Sequence, residues 1–141
     1  MRTTLVDAAM APTPLDRIPI LIGGVGKRTL GLVAEHAEWW NIPVHRIGDL
    51  EAMRERAGDA RVSIQQMVTY VGPGDDREAL VAQADKRWPG MGRVGGRITG
   101  DIGELADELA ASKARGVERV YAWFSDFAKP STLEAFAEIL G

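Results

Sequence analysis

The stretch IPILIGGVGKRTLGLVAEHAEWWN, residues 18–41, decides how the rest of the chain is read. Ile18 to Ile22 form an unbroken apolar run, which suits a strand buried on both faces. Gly23, Gly24 and Gly26 then permit a tight turn. From residue 27 the period changes. Leu30, Val33, Ala34 and Ala37 fall at i, i+3, i+4 and i+7, predicting a helix over 27–38 with one apolar stripe. WWNIPV, 39–44, predicts a second buried strand. Strand, turn, helix and strand in this order make the repeating unit of a parallel α/β sheet.

The flanks extend that pattern. Pro12 and Pro14 make residues 1–17 an irregular lead-in. A weak helix is expected over 49–57. RVSIQQMVTYV, 61–71, alternates: Val62, Ile64, Val68 and Tyr70 share one face, and Ser63, Gln65 and Thr69 the other, which predicts a half-exposed outer strand. Gly72-Pro73-Gly74 ends it. Asp75 or Asp76 then caps a helix reaching Trp88, with Leu80, Val81, Ala84 and Trp88 inward. PGMGRVGGRITG, 89–100, carries five glycines and predicts a loop. Asp101 and Glu104 have capping-box spacing, for a helix that buries Ile102, Leu105 and Leu109 and stops at Gly116. VERVYAWF, 117–124, predicts a third buried strand. Ser131 with Glu134 repeats the capping spacing before a helix striped by Leu133, Phe136, Ala137 and Leu140.

Length and charge bound the function. The 141 residues suit one domain, 1–141, and 45% hydrophobic residues suffice for a core. A net charge of −3, with both signs interspersed, argues against the basic field that nucleic acid requires. With no cysteine there is neither a disulfide nor a thiolate metal site, which suits the cytoplasm. No apolar run approaches the ~20 residues of a membrane span. MRTTLVDAAMAPTPLD has no apolar core, so no signal peptide is expected.

The glycine turn supports two readings equally. A helix start offers unpaired N–H groups and a positive dipole end, a ready anion site. Lys27 and Arg28 are unfavourable there by ~0.3–1 kcal/mol each, a sign that a bound phosphate reverses. Thr29 adds a hydroxyl. Alternatively, the glycines serve a tight turn and bind nothing. The Walker loop does not fit, since Leu21 occupies its first glycine position and Arg28 follows the lysine. The dinucleotide pattern meets Thr29 where it requires a third glycine.

The whole stretch resembles a segment of the luciferase-like flavin-dependent oxidoreductases, which read P-I-P-I-L-I-G-G-G-G-x-R-T-L-x-L-A-A-x-x-A-D-x-W-N. DAAMAPTPLDRIPI resembles the family's lead-in to that strand. GDIGELADELAASKARGVERVYAWF resembles its late helix and final barrel strand, and STLEAFAEIL its last helix. The resemblance implies a partial TIM barrel, roughly the last three β/α units, with helices outside the sheet. It implies reduced flavin mononucleotide (FMN) or a deazaflavin coenzyme and a small organic substrate, for monooxygenation or hydride transfer. By the same resemblance Gly23, Gly24, Gly26 and Lys27 lie along the cofactor's phosphate side, with Arg28 and Thr29 as further contacts. Trp39 departs from the pattern, adding a large ring where the family has little bulk.

Other candidates weigh less. His36 and His45, nine residues apart on different elements, make no metal pair and read as surface histidines. Helix and strand periodicity favours Trp40, Trp88 and Trp123 as core residues over flavin-stacking ones. Ser125 and Asp126 follow the last strand with no base nearby in sequence, so turn duty is expected. No catalytic residue can be assigned. Two classes remain: an oxidoreductase represented by its C-terminal part, or a non-catalytic remnant or subunit that associates with itself or with a partner supplying barrel strands.

Overall fold

The computed structural model describes residues 15–140. The lead-in expected before residue 15 lies outside the described residues. Five strands, β1 (Leu21–Gly23), β2 (Trp39–Pro43), β3 (Arg61–Tyr70), β4 (Arg97–Gly100) and β5 (Arg119–Phe124), alternate with helices α1 (Lys27–His36), α2 (Leu50–Ala57), α3 (Arg77–Arg87), α4 (Ile102–Ala114) and α5 (Pro130–Ala137). All strand pairs are parallel, in one open sheet.

β3 is the spine of that sheet, not an outer strand. β2 pairs with Arg61–Gln65 and β4 with Met67–Tyr70, while β5 pairs with Ser63–Val68. A strand has two edges, so the overlapping registers place β2 and β4 end to end on one edge and β5 on the other. The alternation in β3 is real, and its polar face is partly open: Gln65 is exposed as expected, while its neighbours on that face, Ser63 and Thr69, are buried. Ser63 and Thr69 are as buried as Val62 and Ile64. The expectation of a solvated face therefore holds at Gln65 and fails at Ser63 and Thr69.

Alternate residues of a strand point to opposite faces. Trp40 and Ile42 of β2 therefore join Val62 and Ile64 of β3 against Leu30 and Val33 of α1 and Ala57 of α2. Val68, Phe124 and Leu105 centre a second cluster, packed by Ile98, Ala122 and Phe136. Helices α1, α4 and α5 thus lie on one side of the sheet. The run Ile18–Ile22 is not buried on both faces as expected: β1 is an edge strand, Ile18 and Leu21 are exposed, and Ile22 alone of β1's apolar residues packs against the core cluster. Gln66 of β3 sits between the clusters in sequence, and its amide donates to the carbonyls of Met67 and Gly96.

Several local expectations need correction. The glycine-rich segment 89–100 ends in a strand, β4, because Arg97–Gly100 finds a free length of the β3 edge. β5 is half exposed: Arg119, Tyr121 and Trp123 face outward, and Trp123, expected in the core, is 47% accessible. Ser131 does not cap α5. Lys129 holds the N-cap position without a side-chain bond, and Pro130, with its preset φ, starts the helix. Leu133 is exposed. The other caps fall where expected. Asp76 accepts from the N–H of Ala79, and Asp101 with Glu104 completes a reciprocal capping box.

Trp39 is buried between two cations, with the Arg119 guanidinium 3.8 Å and the Arg61 guanidinium 4.2 Å from its ring centroid. Arg61 also bonds Glu118, holding that carboxyl below the usual carboxylate range. The ring that departs from the family pattern is therefore a stacking platform for two arginines.

Candidate functional site

The glycine turn sits at the carboxyl end of β1, where parallel α/β sheets bind their ligands. Its shape follows from local sequence. Gly24 has φ +121°, a conformation that side-chain-bearing residues rarely adopt, and an added Cβ would lie 3.2 Å from Thr29 Cγ2. Gly26 is the N-cap of α1, and its carbonyl accepts from the N–H of Leu30. No side chain caps the helix, and its first turn carries no acid. The N–H groups of Lys27, Arg28 and Thr29 have no helical acceptor at this end, and the side chains of Lys27 and Arg28 project from the same turn into solvent.

β2 holds the turn from beside it. Asn41 pairs with Gly23, and its carbonyl accepts from the N–H of Gly24 at 3.1 Å. Trp40 Nε1 donates to the Gly24 carbonyl at 2.8 Å, and Asn41 Nδ2 donates to Ser63 Oγ at 3.2 Å. The N–H of Gly24 is thus committed to the sheet. The donors left for an anion are those from residue 25 onward, a smaller set than the turn's sequence suggests. Trp40 and Asn41 are the residues that sequence reading missed. Trp40 is buried in the core, as its periodicity predicts, but its indole N–H also fixes the turn. A Trp-Asn pair one strand away from a glycine turn was the available signal.

The six expected residues therefore divide. Gly23 and Gly24 shape the turn through the β2 ladder, Gly26 opens the helix, and Lys27, Arg28 and Thr29 form its first turn. The arrangement fits a phosphate: backbone donors and two cations at a dipole end, with close approach allowed by glycine. It has no group placed for acid–base chemistry. His36 closes the far end of α1, 3.6 Å from Glu35, and His45 is exposed in a 3-10 segment. Among the described residues no three His, Cys, Asp or Glu side chains cluster as a metal site.

At the carboxyl end of β5, Asp126 performs turn duty, accepting from the N–H of Ala128 and from Thr132 Oγ1. Beyond β4, Arg77 Nη1 donates to both oxygens of Glu104, and Nη2 donates to the Thr99 carbonyl. The Arg77 bond, followed by the N–H of Asp101, lowers the pKa of the Glu104 carboxyl, and Glu104 raises that of Arg77. Glu38 is lowered chiefly by the N–H of Ile20, which ties the start of β2 to the approach to β1.

No protein-family model matches the chain, and no curated protein matches it. Among solved structures, its fold is similar to that of an F420-dependent secondary alcohol dehydrogenase in complex with an F420-acetone adduct. The TM-score is 0.67 at 15% sequence identity, over 94% of this chain and 51% of that one. The chain spans about half the length of that dehydrogenase, and the likeness is one of fold: an open parallel α/β sheet with flanking helices, matching part of a TIM-barrel enzyme.

Proposed function

We propose that the chain is the C-terminal, phosphate-side part of a luciferase-like oxidoreductase, a single domain over 1–141 that works in the cytoplasm on a small organic substrate. The observation that carries this is the uncapped, doubly cationic start of α1 behind the left-handed Gly24, at the carboxyl end of a parallel strand. Gly23, Gly24, Gly26, Lys27, Arg28 and Thr29 would hold the cofactor phosphate. The fold likeness to an F420-dependent enzyme favours a deazaflavin coenzyme over FMN, and dehydrogenation over monooxygenation. Such a coenzyme supplies hydride transfer when bound. The residues of this chain bind and orient its phosphate end.

A second reading, a non-catalytic subunit, is favoured by the open sheet. β1 and β5 each pair on one side only among the described strands. In that reading the chain associates with itself or with a partner that supplies further barrel strands.

Calorimetric titration with a deazaflavin coenzyme, FMN and inorganic phosphate tests the site. Saturable binding of at least one, weakened in Lys27→Ala and Arg28→Ala, is expected. No binding by the parent chain, or binding by both variants as tight as the parent's, refutes it.

A further inference from the structure

A shallow groove of about 390 Å³, largely open to solvent, lies at the carboxyl end of β5, lined by Arg87, Ala122, Trp123, Phe124, Phe127 and Ala128. The sheet order puts three strand spacings, roughly 14 Å, between β5 and the glycine turn on β1, so this cleft is a separate place. Two of its walls are aromatic and open to solvent: Trp123 is 47% and Phe127 79% accessible. Two such rings lining one groove offer flat apolar faces on which a planar ligand can stack.

The cleft also holds a cation. Arg87 Nη1 donates to the carbonyls of Phe124 at 2.8 Å and Ser125 at 2.9 Å, which fixes the guanidinium. Its Cζ lies over the Phe127 ring, 3.7 Å from the centroid, and over the Trp88 ring at 4.8 Å. No described residue accepts from Nε or Nη2, and no described carboxylate pairs with Arg87. The acid nearest in the cleft's own loop, Asp126, is engaged by Ala128 and Thr132. What remains is the Nε–Nη2 edge, a pair of parallel donors that matches a carboxylate.

The loop is built to hold Phe127 outward. Phe127 and Ala128 have φ of +64° and +57°, left-handed values that neither residue type favours. The Asp126 bonds and the Arg87 stack hold that conformation in place.

We infer that this cleft binds a planar aromatic carboxylate, with its ring against Trp123 and Phe127 and its carboxylate on the open edge of Arg87. The inference does not rest on the cofactor reading, because no residue is shared between the two sites.

The test is titration of the ¹⁵N-labelled full chain with 2-naphthoate, and with neutral 2-naphthalenemethanol as the charge control. Loss of one indole resonance in Trp123→Phe identifies Trp123 among the four tryptophans. The expected result is a saturable shift of that resonance by naphthoate, with the alcohol roughly tenfold weaker or more. Phe127→Ala, an exposed position that leaves the core intact, should weaken naphthoate binding several-fold. Arg87→Lys, which keeps a charge and a donor for the carbonyls but lacks the forked edge, should bring naphthoate down to the alcohol's level. Lys27→Ala should leave the shift unchanged, and its failure to bind phosphate would bear only on the glycine turn. The inference is overturned by no saturable shift, by equal binding of acid and alcohol, by a Phe127→Ala variant that binds as the parent does, or by self-association that hides Trp123 from the ligand.

Discussion

Substituting Gly24 and Gly31 separately by alanine isolates what the turn demands of its backbone. Gly24 sits at φ +121°, and its new Cβ would meet Thr29 Cγ2 at 3.2 Å, where Thr29 must give by a few tenths of an ångström. The backbone term costs about 1–2 kcal/mol, and a local overpacking of this size adds roughly 1 kcal/mol. Gly31 lies five residues after Gly26 on the exposed face of α1, with nothing within 4 Å of an added methyl. Alanine there stabilises by roughly 0.5–1 kcal/mol, because glycine is a poor helix former. The two variants should therefore differ by about 3 kcal/mol. At this chain length 1 kcal/mol moves Tm by about 3–4 °C, so the gap should be about 10 °C. Thermal unfolding followed by circular dichroism reads it directly. A Gly24→Ala protein melting with or above the parent, or a Gly31→Ala protein melting as low as Gly24→Ala, refutes the assignment of strain to the turn.

Lys27→Ala should raise Tm slightly, since it removes a cation worth about 0.3–1 kcal/mol against the α1 dipole. A calorimetric phosphate titration of the same sample should show weaker binding, so a variant that loses both stability and affinity contradicts the site. Trp40→Phe keeps an aromatic side chain but strands the Gly24 carbonyl and loses part of a fully buried ring, and should lower the unfolding free energy in urea by at least about 1–3 kcal/mol. Asp101→Ala removes the α4 cap and should cost about 0.5–2 kcal/mol in the same assay. On the acid side, Glu38, Glu104 and Glu118 all have folded pKa values below the ordinary 4.5. A depressed folded pKa gives stability that is present above the unfolded value and lost as pH falls through the folded one. Urea midpoints should hold down to about pH 5 and fall below the usual carboxylate range, and Glu104→Gln should reduce that fall. A flat midpoint from pH 6 to pH 3 contradicts this.

Helices and their caps were legible in the sequence because their signals are local. Asp76, Asp101 and Glu104 sit at fixed offsets from the N–H groups they accept, whatever the rest of the chain does. Strand identity was less so, since pairing is a property of the neighbour. Arg97–Gly100 follows two glycines, ends in a third and reads as loop, yet β3 offers it an edge. Ser63 and Thr69 read as solvated because their burial comes from distant segments. The Ser131 cap failed to a competitor one residue away, Pro130, which starts the helix by itself. Of the candidate site, the glycines and cations were visible from spacing alone. The Trp40 and Asn41 contacts were not, because they cross from β2 to the turn. The β5 cleft was invisible for the same reason: Arg87 and Phe127 are forty residues apart and meet only through the fold.

The buried side chains fall into two clusters along β3, with Gln66 at the seam. An amide at that point cannot weld the apolar groups on either side of it, so the halves are coupled chiefly through the backbones of β3 and β5, which run through both. Cooperative opening then has a natural dividing line. The α4–α5 end, whose cluster has only Val68, Leu105 and Phe124 buried, should open at lower free energy than the α1–α2 end. In native-state hydrogen exchange, the amides of Val62 and Ile64 should outlast those of Ile98 and Phe136. The glycine turn, anchored on the slower half, would stay formed while the β5 cleft comes and goes.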